Sequence, residues 1–129
     1  MPSRLYFPEP SNTQPLAGKR IAVKDIYDIR GLKTGAGSKA YLRIQSPSST
    51  TAPVIQRLID QGAIVVGKTK TTHMVSGMAP RDWIDYQCPF NARGDGYLDT
   101  DCSSSGSAAA VAGYDWLDVS IGSDSKSYF

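Results

Sequence analysis

Apolar residues in this chain fall into short runs separated by glycine- and serine-rich stretches, and the spacing within each run separates strands from helices. Arg20-Ile21-Ala22-Val23-Lys24 is bounded by Gly18 and Asp25 and predicts a strand that presents Lys24 near a sheet edge. Val54, Ile55, Leu58 and Ile59 recur at helical spacing, with Gln56, Arg57, Asp60 and Gln61 on the opposite face. Thr51 is placed to cap that helix, Pro53 suits its first turn, and Gly62 suits the left-handed residue after its last. The β-branched run Ala63-Ile64-Val65-Val66 follows at once and predicts a strand with both faces buried. Residues 21–66 therefore predict a β–loop–α–β unit, the building block of a covered, largely parallel sheet.

Outside that unit the pattern is weaker. Gly31 to Ser49 carries three glycines and a Ser-Pro-Ser-Ser tail and is expected to be loop. A short helix is expected from Thr71, irregular chain from Ala79 to Asp101, a small-residue helix over Ser103 to Ala112, and a third strand over Leu117 to Ile121. The first fifteen residues hold four prolines and no apolar periodicity. They are expected to form an extended segment, leaving residues 16–129 as the folded part.

Composition removes several function classes. Of 129 residues, 14 are Lys or Arg and 12 Asp or Glu, a net charge of +2 with a pI near 8.6. The charges are scattered singly apart from Lys19-Arg20, so no basic stripe exists to follow a phosphate backbone, and nucleic acid is not supported as a partner. No apolar run approaches the roughly 18 residues that cross a bilayer, and the opening ten residues lack the apolar segment of a secretory signal. Two cysteines, Cys88 and Cys102, are too few for a disulfide scaffold or a four-ligand zinc site. The expected compartment is the cytoplasm, with both thiols reduced.

Three sets of residues are candidates for chemistry. Gly62-Ala63-Ile64-Val65-Val66-Gly67-Lys68-Thr69 matches the phosphate-loop pattern letter for letter. A helix precedes it, however, and Ala63 to Val66 require burial, so a helix end followed by a core strand is the better reading. His73 is the only histidine and has no partner at ligand spacing, and nothing near Cys88 or Cys102 marks a lowered thiol pKa. The third set is Lys24 with Ser103-Ser104-Ser105-Gly106-Ser107. A serine-glycine run opening a helix offers hydroxyls and free N–H groups at a positive helix end, suited to a carbonyl oxygen or an oxyanion. A lysine at the end of a buried strand can be desolvated towards a proton-accepting form, and lysine with serine is an alternative to histidine-based activation. The plainer alternative for these residues is a surface lysine and a helix cap.

These residues also carry a family resemblance. Leu16-Ala17-Gly18-Lys19-Arg20-Ile21-Ala22-Val23-Lys24-Asp25 resembles the "LxGxPxxVKD" motif of the amidase signature family, and Gly31 to Ser38 resembles its "GxxTTAGS". Leu58 to Thr69 is similar to "LxxxGAxxxGKTN", which accounts for the phosphate-loop coincidence. Cys102 to Ala110 resembles "GGSSGGSAAA", and Ile121 to Ser125 the start of "xGTDTGGS". The family is related to the glutamyl-tRNA amidotransferase A subunit. The resemblance implies an α/β fold, the amino-terminal part of a mixed sheet flanked by helices, with residues 16–129 as a partial amidase domain. It also implies hydrolysis of non-peptide carbon–nitrogen bonds in small-molecule amides by a Ser–cis-Ser–Lys triad, without metal or cofactor. Lys24 would be the base, and Ser103 the bridging serine that relays the proton. Asp101 and Cys102 stand where two glycines are usual.

The end of the chain departs from the motif. Four residues beyond Asp124, where the nucleophilic serine is expected, stands Tyr128, and Lys126 and Ser127 replace the two glycines whose N–H groups would form the oxyanion hole. The resemblance thus implies a truncated amidase fragment without activity. The alternative is a small non-catalytic binding or assembly module derived from an amidase.

Overall fold

Strand β1 (Arg20–Lys24) is the central strand of a three-stranded sheet in the order β2-β1-β3. The computed structural model describes residues 9–95, 98, 100 and 103–123. After β1 come α1 (Lys39–Ile44), α2 (Pro53–Asp60), β2 (Ile64–Thr69), single 3-10 turns at His73–Val75 and Pro80–Asp82, α3 (Ser105–Gly113) and β3 (Val119–Ile121). Both outer strands run parallel to β1, so each connection must cross over, and α2 and α3 lie within those crossovers. The described sheet is parallel throughout.

Side-chain alternation along β1 creates the two environments on which the rest depends. Ile21 and Val23 face α2 and form a core with Ile55, Ala63 and Ile29. Ala22 lies on the other face with Gly106, Ala109 and Ala110 of α3. Lys24 is two residues on from Ala22, so it shares that face and points towards the start of α3. All five residues of β1 are buried, as a central strand covered on both faces requires.

Helix α2 departs from its expected details in two places. Its N-cap is Ala52, whose methyl group cannot cap, and the Thr51 hydroxyl accepts from the Arg30 N–H at 3.0 Å rather than from the helix. Val54 is 48% exposed although Ile55 is fully buried, since Val54 sits at the margin of the apolar stripe that Ile55 centres. The helix ends as expected on Gly62, at φ +95. There the Gly62 N–H donates to Ile59 O and the Ala63 N–H to Leu58 O, the paired bonds of a Schellman turn.

The stretch expected as loop over residues 31–49 contains α1, whose first turn is capped by Ser38 Oγ accepting from the Tyr41 N–H at 3.3 Å. Strand β2 runs three residues beyond its expected end, to Thr69. Its residues before Thr69 are half-buried rather than buried, because β2 is paired on one side only among the described residues. No helix among the described residues is long and apolar enough to cross a membrane.

Helix α3 is locked to the end of β2 at Gly106. A Cβ there would lie 2.3 Å from Lys70 O and 2.4 Å from Lys70 N, backbone atoms that cannot yield as a side chain could. Gly106→Ala is expected to lower stability by roughly 1–3 kcal/mol or more, read as a lower denaturation midpoint at unchanged m-value. An unchanged midpoint would mean that α3 does not rest on the Lys70 backbone.

Candidate active site

Lys24 is fully buried, and its Nζ donates to three serine hydroxyls, Ser103 Oγ, Ser104 Oγ and Ser123 Oγ, each at 2.9 Å. The Ser123 carbonyl oxygen lies further off at 3.4 Å. Lys24 and Ser103, 79 residues apart in sequence, are therefore in direct contact. A surface lysine, the plainer alternative, is not what the fold contains.

Each partner arrives from a different element. Ser104 is the N-cap residue of α3, yet its hydroxyl makes no cap to the helix. It donates instead to Ser123 O at 2.9 Å and accepts from the Ser123 N–H at 3.1 Å, tying the end of β3 to the start of α3. Close approach is possible because Gly122 has no side chain: a Cβ there would lie 3.0 Å from Ser104 Oγ. One turn along, Ser107 Oγ meets Thr69 Oγ1 at 2.8 Å and donates to Ile121 O at 3.0 Å, which fastens α3 to both outer strands. Ser105 is fully buried, and its hydroxyl has no hydrogen-bond partner among the described residues.

The backbone that carries Lys24 is held from the following residue. Asp25 Oδ1 pairs with Lys68 Nζ at 2.8 Å, and Asp25 Oδ2 accepts from the Gly35 N–H at 3.0 Å. The Asp25 N–H donates to Thr69 O, and Asp25 O accepts from the Ala36 N–H. Lys68 Nζ also donates to Thr34 Oγ1 at 2.8 Å and Lys33 O at 3.1 Å. The lysine of the phosphate-loop look-alike is thus a strand residue that clamps a loop, with its ammonium already engaged by protein oxygens.

The other candidates lie apart from these contacts. His73 sits in the 3-10 turn, with a buried Nδ1 that has no hydrogen-bond partner among the described residues. Cys88 Sγ is directed at the Pro89 and Thr100 carbonyls. No group of three or more His, Cys, Asp or Glu side chains among the described residues is placed to hold a metal ion. Asp101, Cys102, Lys126, Ser127 and Tyr128 lie outside the described residues, as does the peptide bond preceding Ser103. A groove of about 570 Å³ runs between β2, α3 and residues 89–92, but neither Lys24 nor Ser103 lines it.

The likeness to known proteins runs through these same residues. The Amidase family model matches residues 6–126. The chain belongs to the amidase family. Among curated relatives, "Amidase 1" of Oryza sativa subsp. japonica is 37% identical over 117 residues, covering 91% of this chain and 26% of the relative. The A subunit of the glutamyl-tRNA(Gln) amidotransferase of Natronomonas pharaonis is 37% identical over 123 residues, covering 90% of this chain and 26% of its own length. A solved chain from a vestigial protein complex, described as revealing the evolutionary origins of an s-triazine catabolic enzyme, superposes with a TM-score of 0.78 at 34% identity. That match covers 88% of this chain and 24% of the solved one. This amidase-family chain therefore spans about a quarter of the length of the curated relatives it matches, and corresponds to an amino-terminal portion of the amidase signature fold.

The Lys68–Asp25 pair is largely shielded from water, with side-chain exposures of 14% and 23%. Lys68→Met is expected to cost about 1–3 kcal/mol because the Asp25 carboxylate loses its charged partner. Lys68→Met combined with Asp25→Asn should cost less than the two single changes added together. Strict additivity in denaturant melts would show that the pair is not coupled.

Proposed function

We propose that Lys24 and Ser103 form the proton-relay half of a hydrolase for carbon–nitrogen bonds in small linear amides, and that this polypeptide lacks the hydroxyl that attacks the acyl carbon. The observation that carries the reading is the fully buried Lys24 amine at 2.9 Å from Ser103 Oγ. In such a reaction neutral Lys24 accepts, through the Ser103 hydroxyl, the proton released by the attacking group. It then returns that proton to the nitrogen of the departing amine. Holding the amine and the bridging hydroxyl on a central strand and a helix end fixes the proton path before substrate arrives, so little reorganisation is needed during reaction.

The missing half is read from residue identity. Tyr128 stands four residues beyond Asp124, and Lys126 and Ser127 precede it. A phenol is a poor replacement for a serine alkoxide in acyl transfer. Loss of the attacking serine in a well-studied triad hydrolase lowers kcat by about 10⁶-fold. The relatives that carry amidase names are some four times longer than the matched region, and their activities belong to those whole proteins.

The 129-residue chain is therefore expected to release no ammonia above the buffer rate from small aliphatic or aromatic amides. Ammonia release that disappears in Lys24→Ala or Ser103→Ala would overturn the claim that the attacking group is missing.

A further inference from the structure

A second cavity, of about 260 Å³, lies at the carboxyl end of β2, and neither Lys24 nor Ser103 lines it. Its walls come from the loop and helix after β1, from residues 68–71 and from Tyr86. Polar contacts brace these stretches against one another. Lys68 Nζ donates to Lys33 O at 3.1 Å, the Lys39 N–H to Asp85 Oδ2 at 2.7 Å, and Lys70 Nζ to Gln87 O at 3.1 Å. Gly37 presses so closely on the following loop that a Cβ there would collide with Thr71 O and Thr72 O.

Charge around this space is one-sided. Asp25 pairs with Lys68 at 2.8 Å, which leaves those two residues neutral together. Lys33, Lys70 and Lys39, whose Nζ stands 5.3 Å from the centre of the Tyr86 ring, form no ion pair among the described residues. Asp85 is the single acid set against those three ammonium groups, and it accepts from a backbone N–H. Ammonium groups gathered around one concave space repel each other and attract an anion into it. The wall also holds a spare donor: Thr71 is 1% exposed, and its Oγ1 has no hydrogen-bond partner among the described residues. A buried hydroxyl left unpaired is costly, and an occupant of the cavity can relieve that cost.

We infer that this cavity binds a dianionic phosphoryl group, with Lys33 and Lys70 supplying the charge and Thr71 a hydroxyl donor. Two lysines without carboxylate partners match the nearly two negative charges that a phosphoryl group carries at neutral pH, whereas a single carboxylate offers one. The space is larger than one tetrahedral oxyanion needs, so either free phosphate or the phosphoryl end of a small organic ester fits beside the Tyr86 ring. This binding is independent of the relay reading of Lys24 and Ser103.

The test is a titration of the full ¹⁵N-labelled chain with inorganic phosphate and, separately, with phenyl phosphate, at an ionic strength held constant with sodium chloride. The expected result is a saturable shift of the Gly37, Thr71 and Tyr86 amide resonances. Affinity is expected to fall by roughly tenfold or more in Lys33→Gln and in Lys70→Gln, and to survive in Lys33→Arg. The Lys33 ammonium braces nothing among the described residues, so Lys33→Gln leaves the walls intact, and the unliganded spectrum of each variant reports its fold. Tighter binding of phenyl phosphate than of inorganic phosphate assigns the site to an ester, and equal or weaker binding assigns it to the free ion. Shifts that do not saturate, shifts reproduced by chloride alone, or an affinity indifferent to both glutamine substitutions would overturn the inference.

Discussion

A lysine amine withdrawn from water and held by serine hydroxyls is the constraint around which this chain is arranged. An ionisable group on a central strand is costly unless polar atoms meet it, because the desolvated charge and the unsatisfied donors both count against folding. Three hydroxyls at 2.9 Å meet part of that need. Hydroxyls leave both protonation states accessible, and a proton acceptor needs both.

The fold serves that arrangement through strand alternation and helix placement. Because Ile21 and Val23 point at α2, Ala22 and Lys24 must point at α3, and the last residue of β1 reaches the first residues of α3 without a long connection. Gly106 brings α3 onto the Lys70 backbone, Gly122 brings β3 against Ser104, and Ser107 joins α3 to both outer strands. The cap hydroxyl of α3 is diverted from the helix to Ser123. One orphan donor at the helix start thereby loses a partner, and the site gains one.

Much of this is legible along the chain, and what is not has physical reasons. The bounds of β1 and the Gly62 stop of α2 follow from local pattern, since each is set by residues that are neighbours in sequence. The meeting of Lys24 with Ser103 follows from a family likeness, for spacing alone leaves a surface lysine and a helix cap open. The contacts of Ser104 and Ser123 with the lysine are hidden because they depend on the register of β3 beside β1, which brings together residues 99 apart from Lys24 in one case and 80 in the other. Helix α1 is obscured by the glycines around it, which read as loop, although Ser38 before an alanine- and leucine-bearing segment is a usable cap signal. The half-burial of β2 reflects pairing on one side only, which a β-branched run cannot declare.

The protonation of the Lys24 side chain tests this account most directly, followed through its ¹⁵Nζ resonance as pH is raised. The account predicts that Ser103→Ala or Ser123→Ala moves the transition between ammonium and amine, because both hydroxyls contact the amine. A Lys24 resonance whose transition ignores both substitutions would contradict it.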